Sequence, residues 1–173
     1  GRVADRHPEG LVRLRAGTLN GNAVIRHGLD WLLANAAGDT LPLVQFHDGG
    51  DAGPGPHVLP ALSVPAARAA LRALLQLRQR GLREPLRFAP YTGWVLYNAP
   101  AEKQRSEGWK QWHGSDRSWG ESSSDAWQLL LRGADPFATD ASYADLLRNS
   151  QLVFSAVREG RALGAEARQE GDA

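Results

Sequence analysis

The feature that most constrains the fold is the stretch 11–16, which alternates apolar and basic side chains and leads through Gly17 into an amphipathic segment. The stretch reads Leu-Val-Arg-Leu-Arg-Ala, so Arg13 and Arg15 are two residues apart. Side chains two apart in a strand point to the same side, and the pattern therefore predicts a strand with both arginines on one face. Apolar residues at three- and four-residue spacing from 20 to 37 predict a helix that packs on this strand.

The rest of the chain is predicted to alternate between extended and helical segments. In the first helix the predicted buried stripe consists of Val24, Ile25, Leu29, Leu32, Leu33 and Ala36. Extended pieces at 43–47 and 57–59 flank a glycine-rich loop and predict a hairpin. Further helices are predicted over 63–81, around Tyr91 to Tyr97, around Trp109 to Trp112, over 127–131 and from about Ser142 onward. The predicted fold class is α/β, with a small mixed β-sheet flanked by helices.

Composition sets limits on the function. The 173 residues fit one domain, and 42% of them are hydrophobic, which is enough for a core. A net charge of +1 excludes a strongly basic protein that coats nucleic acid, so DNA contacts would have to come from local patches. With no Cys, disulfides and thiolate zinc sites are excluded. No membrane segment is predicted, and the start without Met inside a predicted strand leads us to expect a fragment of a longer protein.

Residues 1–17 carry a resemblance to a known hairpin. Their pattern is similar to the core of the PD-(D/E)XK nuclease superfamily, in which a G-x-I-D strand is followed by a strand reading roughly V-D-Y-K-T-G. On that pattern Ala4 stands at the first metal-binding Asp, Arg13 at the second acid and Arg15 at the Lys. Neither an alanine nor a guanidinium offers a lone pair to a divalent metal. The resemblance therefore implies a PD-(D/E)XK nuclease-like core without the active-site acids, with no catalytic residue, no metal and no cofactor.

Several stretches taken together resemble one family, the C-terminal domain of the exodeoxyribonuclease V gamma subunit (the RecC proteins). The matching stretches are Leu11–Ala37, Leu71–Leu86, Trp112-His113-Gly114, Gly120-Glu121, Asp125-Ala126-Trp127 and Leu130–Gly133. The order and spacing of these stretches match the family together, and the resemblance covers the chain to about Val157. The resemblance implies one nuclease-like domain over residues 1–160, and residues 161–173 are predicted to be a disordered tail.

This resemblance also implies a function and partners. The domain would be an inactive nuclease fold that holds the beta and alpha subunits of exodeoxyribonuclease V (RecB and RecD) and guides or splits DNA during double-strand-break repair. It would work in the cytoplasm, with no membrane partner, as part of an ATP-dependent exonuclease and helicase.

Basic residues are the candidate DNA contacts. They are Arg13, Arg15, Arg68, Arg72, Lys103 and Lys110. For Arg13 and Arg15 two interpretations stay open, phosphate contacts or pairing with acids inside the domain or across an interface, since buried cations need a partner. The tyrosines and tryptophans between 91 and 119 fit either core packing or a stacking platform for single-stranded DNA.

Two other function classes stay open. An active nuclease would need a migrated acid, for example Asp5 together with Glu9 or Glu121. An interaction module would never touch DNA. The five histidines lie in different segments without a two-ligand spacing and are predicted to be surface or core residues. Two carboxylate pairs could take part in acid-base catalysis, Glu121 with Asp125 and Asp48 with Asp51. Both lie in loops, where turn formation and helix capping already explain the presence of acidic residues.

Overall fold

The computed structural model describes residues 4–49 and 53–163, and within them it has an α/β fold. The elements in chain order are β1 (Arg6–His7), β2 (Gly10–Thr18), α1 (Gly21–Ala36), β3 (Leu43–Asp48), β4 (His57–Leu59), α2 (Val64–Gly81), α3 (Pro90–Asn98), α4 (Gln104–His113), α5 (Asp125–Leu131) and α6 (Asp140–Glu159). The strand order is β1-β2-β3-β4, with β2 and β3 parallel and the outer pairs antiparallel. The small mixed sheet with helices confirms the predicted fold class.

The chain divides into two compact units. Of the described residues, 4–49, 53–75 and 155–163 belong to the first unit, and 76–154 belong to the second. The sheet and α1 belong to the first unit, while α3, α4 and α5 belong to the second.

The sheet of the first unit is built on β2 and β3, which α1 connects. α1 begins where the side chain of Asn20 accepts a hydrogen bond from the Ala23 N–H at 3.0 Å, so one of the free N–H groups of the first turn is satisfied. Arg13 on β2 lies opposite Gln45 on β3 in the parallel register. Because side chains alternate along a strand, these two residues share a face of the sheet.

The two faces of the sheet differ in burial. Leu11 and Leu43 lie on the face that carries Arg13, and both are completely buried. On the other face Leu14 is 78% exposed and Val58 is 56% exposed. The helices of the first unit therefore cover the face of the arginines and leave the opposite, apolar face open to solvent.

The buried side of α1 differs from the predicted stripe. Val24 and Leu32 are buried as expected. Leu33, which the spacing assigned to the core, is half-exposed, and Trp31 is buried in its place. The reason lies at Gly28, where an added Cβ would come within 2.5 Å of the Cβ of Val157 in α6. Only a glycine permits this close approach, and α1 is therefore rotated so that residue 28 faces Val157 of α6.

A buried asparagine holds the end of α1 in place. The side-chain amide of Asn35 donates to the carbonyls of Trp31 at 2.8 Å and Leu41 at 3.0 Å, and its Oδ1 accepts from the Leu62 N–H at 2.9 Å. Since all three bonds go to the backbone, Asn35 fixes the segments before β3 and α2 against the helix.

The second unit is organised around an aromatic core. This cluster contains Ala89, Leu96, Trp112, Phe137 and Leu146, and Trp127, Leu131, Tyr143 and Leu147 pack against it. The predicted helices around residues 91–97 and 109–112 are confirmed as α3 and α4. Trp112 is buried as a core residue, whereas Trp109 and Trp119 are about half-exposed.

Several predicted helix boundaries need correction. α6 begins at Asp140, two residues before Ser142, because Thr139 Oγ1 accepts from the Ser142 N–H at 3.1 Å and so caps its first turn. α5 begins at Asp125, two residues before the predicted start. Ser124, one of the two predicted caps, occupies the N-cap position, but its side chain makes no capping hydrogen bond.

Two predictions concern segments that the structure describes only in part. The loop expected between Asp48 and Pro56 includes residues 50–52, which lie outside the described residues. Of the tail predicted at 161–173, residues 164–173 also lie outside them, and residues 161–163 contain no helix or strand. Every helix in the described ranges is too short or too polar to cross a membrane.

Candidate functional site

The candidate site is the covered face of the sheet, where Arg13 is the central residue. Its Nη1 lies 3.1 Å from the Ala4 carbonyl oxygen and 3.0 Å from Asp5 Oδ2, and its Nη2 lies 2.7 Å from Asp30 Oδ2. The Arg13 side chain is only 11% exposed. Ala4 and Arg13, two of the positions that the predicted nuclease resemblance singles out, are thus in direct contact, and acids inside the chain are the partners of the arginine.

Arg15, the third of these predicted positions, makes a different contact. Its Nε donates to the Thr18 carbonyl at 2.9 Å, near the end of β2, and an acidic partner for it is not among the ion pairs of the described residues. The side chain is partly exposed. Arg13 and Arg15 lie on the same face of β2, as predicted, but of these two only Arg13 is held by carboxylates.

A polar chain of three residues lies next to Arg13 on the same face. Arg158 of α6 donates from Nη1 to Gln45 Oε1 at 3.2 Å, and Gln45 Nε2 lies 2.9 Å from His27 Nδ1. A guanidinium only donates, so the oxygen of Gln45 faces Arg158 and its amide nitrogen faces His27. The His27 Nδ1 therefore accepts, and the ring proton is on Nε2.

The protonation state of His27 follows from this environment. Burial, together with the positive charges of Arg13 and Arg26, lowers the pKa of His27 from 6.5 to about 4, although Asp30 acts in the opposite direction. His27 is consequently neutral at pH 7. A neutral acceptor is also what the hydrogen bond from Gln45 requires.

The chemistry available on this face is that of cations and donors. Arg13, Arg158 and the Gln45 amide supply N–H groups, while the acids nearest to them, Asp5 and Asp30, are bonded to Arg13. Within the described ranges there is no group of three His, Asp or Glu side chains that could hold a metal ion. The cations of this face repel a divalent metal ion, and the donors named here already have partners inside the chain.

Arg68 and Arg72 lie one turn apart on α2, and both are exposed. Arg68 Nε donates to the Ala36 carbonyl at 3.1 Å, which anchors its stem at the end of α1. Both residues belong to the first unit. The structure thus leaves the terminal nitrogens of two neighbouring arginines accessible, and their role in DNA binding stays a prediction.

Lys103 and Lys110 belong to the second unit and are exposed. Lys110 Nζ forms an ion pair with Glu107 at 2.8 Å. Of the aromatic residues considered for a stacking platform, Trp94 and Tyr97 stack on each other, with ring centroids 5.9 Å apart, and both contact Phe154. Core packing therefore accounts for these two rings.

The carboxylates considered for an active nuclease have other partners. Asp5 is paired with Arg13, and Glu9 is exposed in the turn before β2. Glu121 lies in the second unit, where it is buried and accepts from the N–H groups of Tyr91 at 3.2 Å and Thr92 at 2.7 Å. Glu121 thus caps α3 with both of its carboxylate oxygens.

Two of the histidines make a contact that the sequence did not predict. The β3–β4 hairpin brings His47 and His57 together, with stacked rings whose centroids are 4.1 Å apart, although the sequence spacing indicated no pair. His27 agrees with the predicted core role, since it is buried.

Sequence reasoning did not identify Asp30, Gln45 and Arg158 as members of this site. One signal was present: His27 and Asp30 are three residues apart on a helix predicted to pack on the arginine strand, so they share a helix face. No local pattern joins them to Gln45 or Arg158, which lie 18 and 131 residues from His27 in the chain.

Comparison with known proteins adds one match. The family model of the RecC C-terminal domain matches residues 1–101, which is more than half of the chain and includes Arg13, Asp30 and Gln45. No curated protein sequence matches the chain.

Proposed function

Because the chain belongs to the RecC C-terminal domain family, which gives it a role in DNA repair within the exodeoxyribonuclease V complex, we propose that it is a non-catalytic, nuclease-like domain of the gamma subunit. In this proposal residues 1–160 form the domain, which holds the other subunits, RecB and RecD, and guides DNA in the cytoplasm. The match ends at residue 101, so the first unit carries most of the family resemblance.

The observation that carries the proposal is the ion pair of Arg13. In a PD-(D/E)XK nuclease this strand position would supply an acid to a divalent metal. Here a buried cation stands at the position and is bonded to Asp30 at 2.7 Å and Asp5 at 3.0 Å. A metal ion next to this guanidinium would be repelled, and the two carboxylates nearest to it are engaged. This geometry supports a domain that does not cut.

Guidance of DNA is assigned to the exposed cations. Arg68 and Arg72 are neighbours on α2, and arginines in this arrangement can bind phosphate oxygens as charge-assisted donors. Arg15 is the third candidate in the first unit. Arg13 is removed from this role in our proposal, because its donors are directed to Asp5, Asp30 and backbone oxygens.

Metal binding tests the non-catalytic part of the proposal. Calorimetry of the full chain with Mn²⁺ is expected to detect no binding, and a linear duplex is expected to stay intact. In the variant Ala4→Asp/Arg13→Asp the acids return to the nuclease positions, beside Asp5 and Asp30, and we expect measurable Mn²⁺ binding. Digestion of DNA by the unmodified chain, abolished by Arg13→Ala, would contradict the proposal.

Salt dependence tests the guidance part separately. Each phosphate contact contributes about 0.9 to the slope of log affinity against log salt concentration. The variant Arg68→Gln/Arg72→Gln is therefore expected to lower the slope by roughly 2 in fluorescence anisotropy with a short duplex. The variant Arg78→Gln/Arg83→Gln loses the same charge from exposed positions of the second unit and serves as the matched control. If both variants lowered the salt-dependence slope equally, DNA binding would depend on net charge and not on the positions of Arg68 and Arg72.

A further inference from the structure

A cavity of about 700 Å³ lies in the second unit, and its walls come from α4, α5 and the segment that follows α5. Trp112 and Trp127 form apolar walls, Trp112 being buried and Trp127 partly buried. No lining residue belongs to the sheet, and none lies within residues 1–101, the part of the chain that the RecC family model matches. The cavity is therefore a feature that the DNA-guiding proposal does not explain.

The polar lining of the cavity is acidic. Asp125 and Asp135 both contribute to it, and among the described residues that line it there is no Lys or Arg. Asp135 is held in place, because its Oδ1 accepts from the Phe137 N–H at 2.9 Å and its Oδ2 lies 3.2 Å from His113 Nε2. A fixed carboxylate with a second one nearby attracts a cation and repels a phosphate.

The tryptophans in the walls indicate which kind of cation the cavity would bind. The face of a tryptophan ring attracts a guanidinium, which is planar and less strongly hydrated than an ammonium. The partly buried Trp127 offers a flat apolar surface for the guanidinium of an arginine, Trp112 closes the apolar wall behind it, and the two carboxylates match the charged edge. A nucleic acid base could stack on the same rings, but its phosphates would meet Asp125 and Asp135.

The rim indicates that this cation belongs to a protein. Leu129 lines the cavity and is 79% exposed, and Trp109, which is 49% exposed, lies with its ring centroid 4.5 Å from that of His113 in the lining. Large exposed apolar side chains around a pocket are typical of protein interfaces, where aromatic and arginine anchors dominate binding.

We infer that the cavity bounded by Trp112, Trp127, Asp125 and Asp135 binds an arginine side chain of a partner protein, with apolar neighbours of that arginine packing on Leu129 and Trp109. The inference goes beyond DNA guidance and does not depend on it. It assigns a protein-binding role to a part of the chain that lies outside the family match.

The test uses the full chain labelled with ¹⁵N and the indole N–H signals of its six tryptophans, assigned by single Trp→Phe variants. The probe is the capped peptide acetyl-Leu-Arg-Leu-amide, and the matched probe contains citrulline, which keeps the shape of arginine and lacks its charge. We expect the arginine peptide to shift the signals of Trp112 and Trp127 in a saturable manner. The citrulline peptide is expected to bind about fivefold more weakly, as loss of a partly exposed ion pair predicts.

Protein variants give the second arm of the test. Asp125→Asn/Asp135→Asn keeps the side-chain shapes and is expected to weaken the arginine peptide by about fivefold or more. Asp116→Asn removes a charge from the exposed turn after α4 and is expected to leave binding unchanged. Equal binding of the arginine and citrulline peptides would overturn the inference in the unmodified chain, whatever the variants do. So would an oligothymidylate that shifts the same two signals.

Discussion

Arg13 Nη2 lies 2.7 Å from Asp30 Oδ2, so a strand of the sheet and the helix that covers it are joined by a charge-assisted hydrogen bond. The arginine side chain is 11% exposed and the aspartate 32% exposed. An ion pair at this depth keeps much of its attraction, and removal of one member leaves the other without its partner. The pair thus has a structural role in the first unit.

We predict that Arg13→Met lowers the free energy of unfolding by about 2 kcal/mol, between the values for exposed and fully buried pairs. Urea denaturation followed by tryptophan fluorescence measures the change. Arg72→Met removes an exposed arginine and is expected to cost less than about 0.5 kcal/mol. If the two variants were equally stable, the contact with Asp30 would have no energetic weight.

Acid is predicted to destabilise the first unit through His27. Its pKa is lowered to about 4 in the folded chain by burial and by Arg13 and Arg26, and the value of an unperturbed histidine is 6.5. Between these values the unfolded chain binds the proton and the folded chain does not, so stability is complete above pH 6.5 and falls as the pH decreases toward 4. The full loss is up to about 3 kcal/mol.

The control for this prediction is His27→Gln, which cannot titrate. Its urea midpoint is expected to depend on pH between 4 and 6.5 less steeply than that of the unmodified chain. His7 is exposed, and His7→Gln is expected to retain the steep dependence. The same slope in both variants would assign the acid sensitivity to other groups.

A pair of leucines on β2 tests which face of the sheet is covered. Leu11 is completely buried, whereas Leu14, three residues later, is 78% exposed. Leu11→Ala is expected to lower the unfolding free energy by about 2–5 kcal/mol because it opens a cavity, and Leu14→Ala by less than about 1 kcal/mol. Thermal and urea denaturation measure both variants. If Leu14→Ala lowered the unfolding free energy as much as Leu11→Ala, the face of Leu14 would be buried as well.

The sequence predicts the local features of this chain well, because short-range patterns determine them. The start of α2 is an example: Ser63 Oγ accepts from the Ala66 N–H at 3.3 Å, and Pro65 lies in the first turn, as the residue types indicate. The alternation in β2 also predicts the strand. It does not reveal which of the two faces the helices cover, since both Leu11 and Leu14 are apolar.

The candidate site is harder to predict, because its contacts join residues that are distant in the chain. The predicted resemblance to a nuclease hairpin singles out Ala4 and Arg13, and in the structure Arg13 Nη1 lies 3.1 Å from the Ala4 carbonyl oxygen. The bond between His27 and Gln45 depends on the register of two strands and the rotation of α1. That rotation is set by the contact of Gly28 with Val157, which no pattern within the helix encodes.

Glu121 gives the last prediction, for the second unit. It is completely buried, and its two oxygens accept from the N–H groups of Tyr91 and Thr92 at the start of α3, where Ala89 offers no capping side chain. Glu121→Ala leaves two backbone donors without partners at a helix N-terminus, and each such group costs about 1–3 kcal/mol when buried. We expect a loss of about 2–4 kcal/mol in urea denaturation, with faster amide exchange at Thr92.

The pH dependence separates this capping role from simple packing. Burial raises the pKa of Glu121, while the hydrogen bonds from Thr92 and Tyr91 lower it in part. A raised pKa means that the folded chain holds the proton more firmly than the unfolded chain, so stability decreases as the pH rises from 4.5 through the raised value. Glu121→Gln, which cannot ionise, should lose this decrease, whereas Asp125→Asn, at an exposed neighbouring carboxylate, should retain it. If Glu121→Ala were as stable as the unmodified chain, the capping bonds would not contribute to folding.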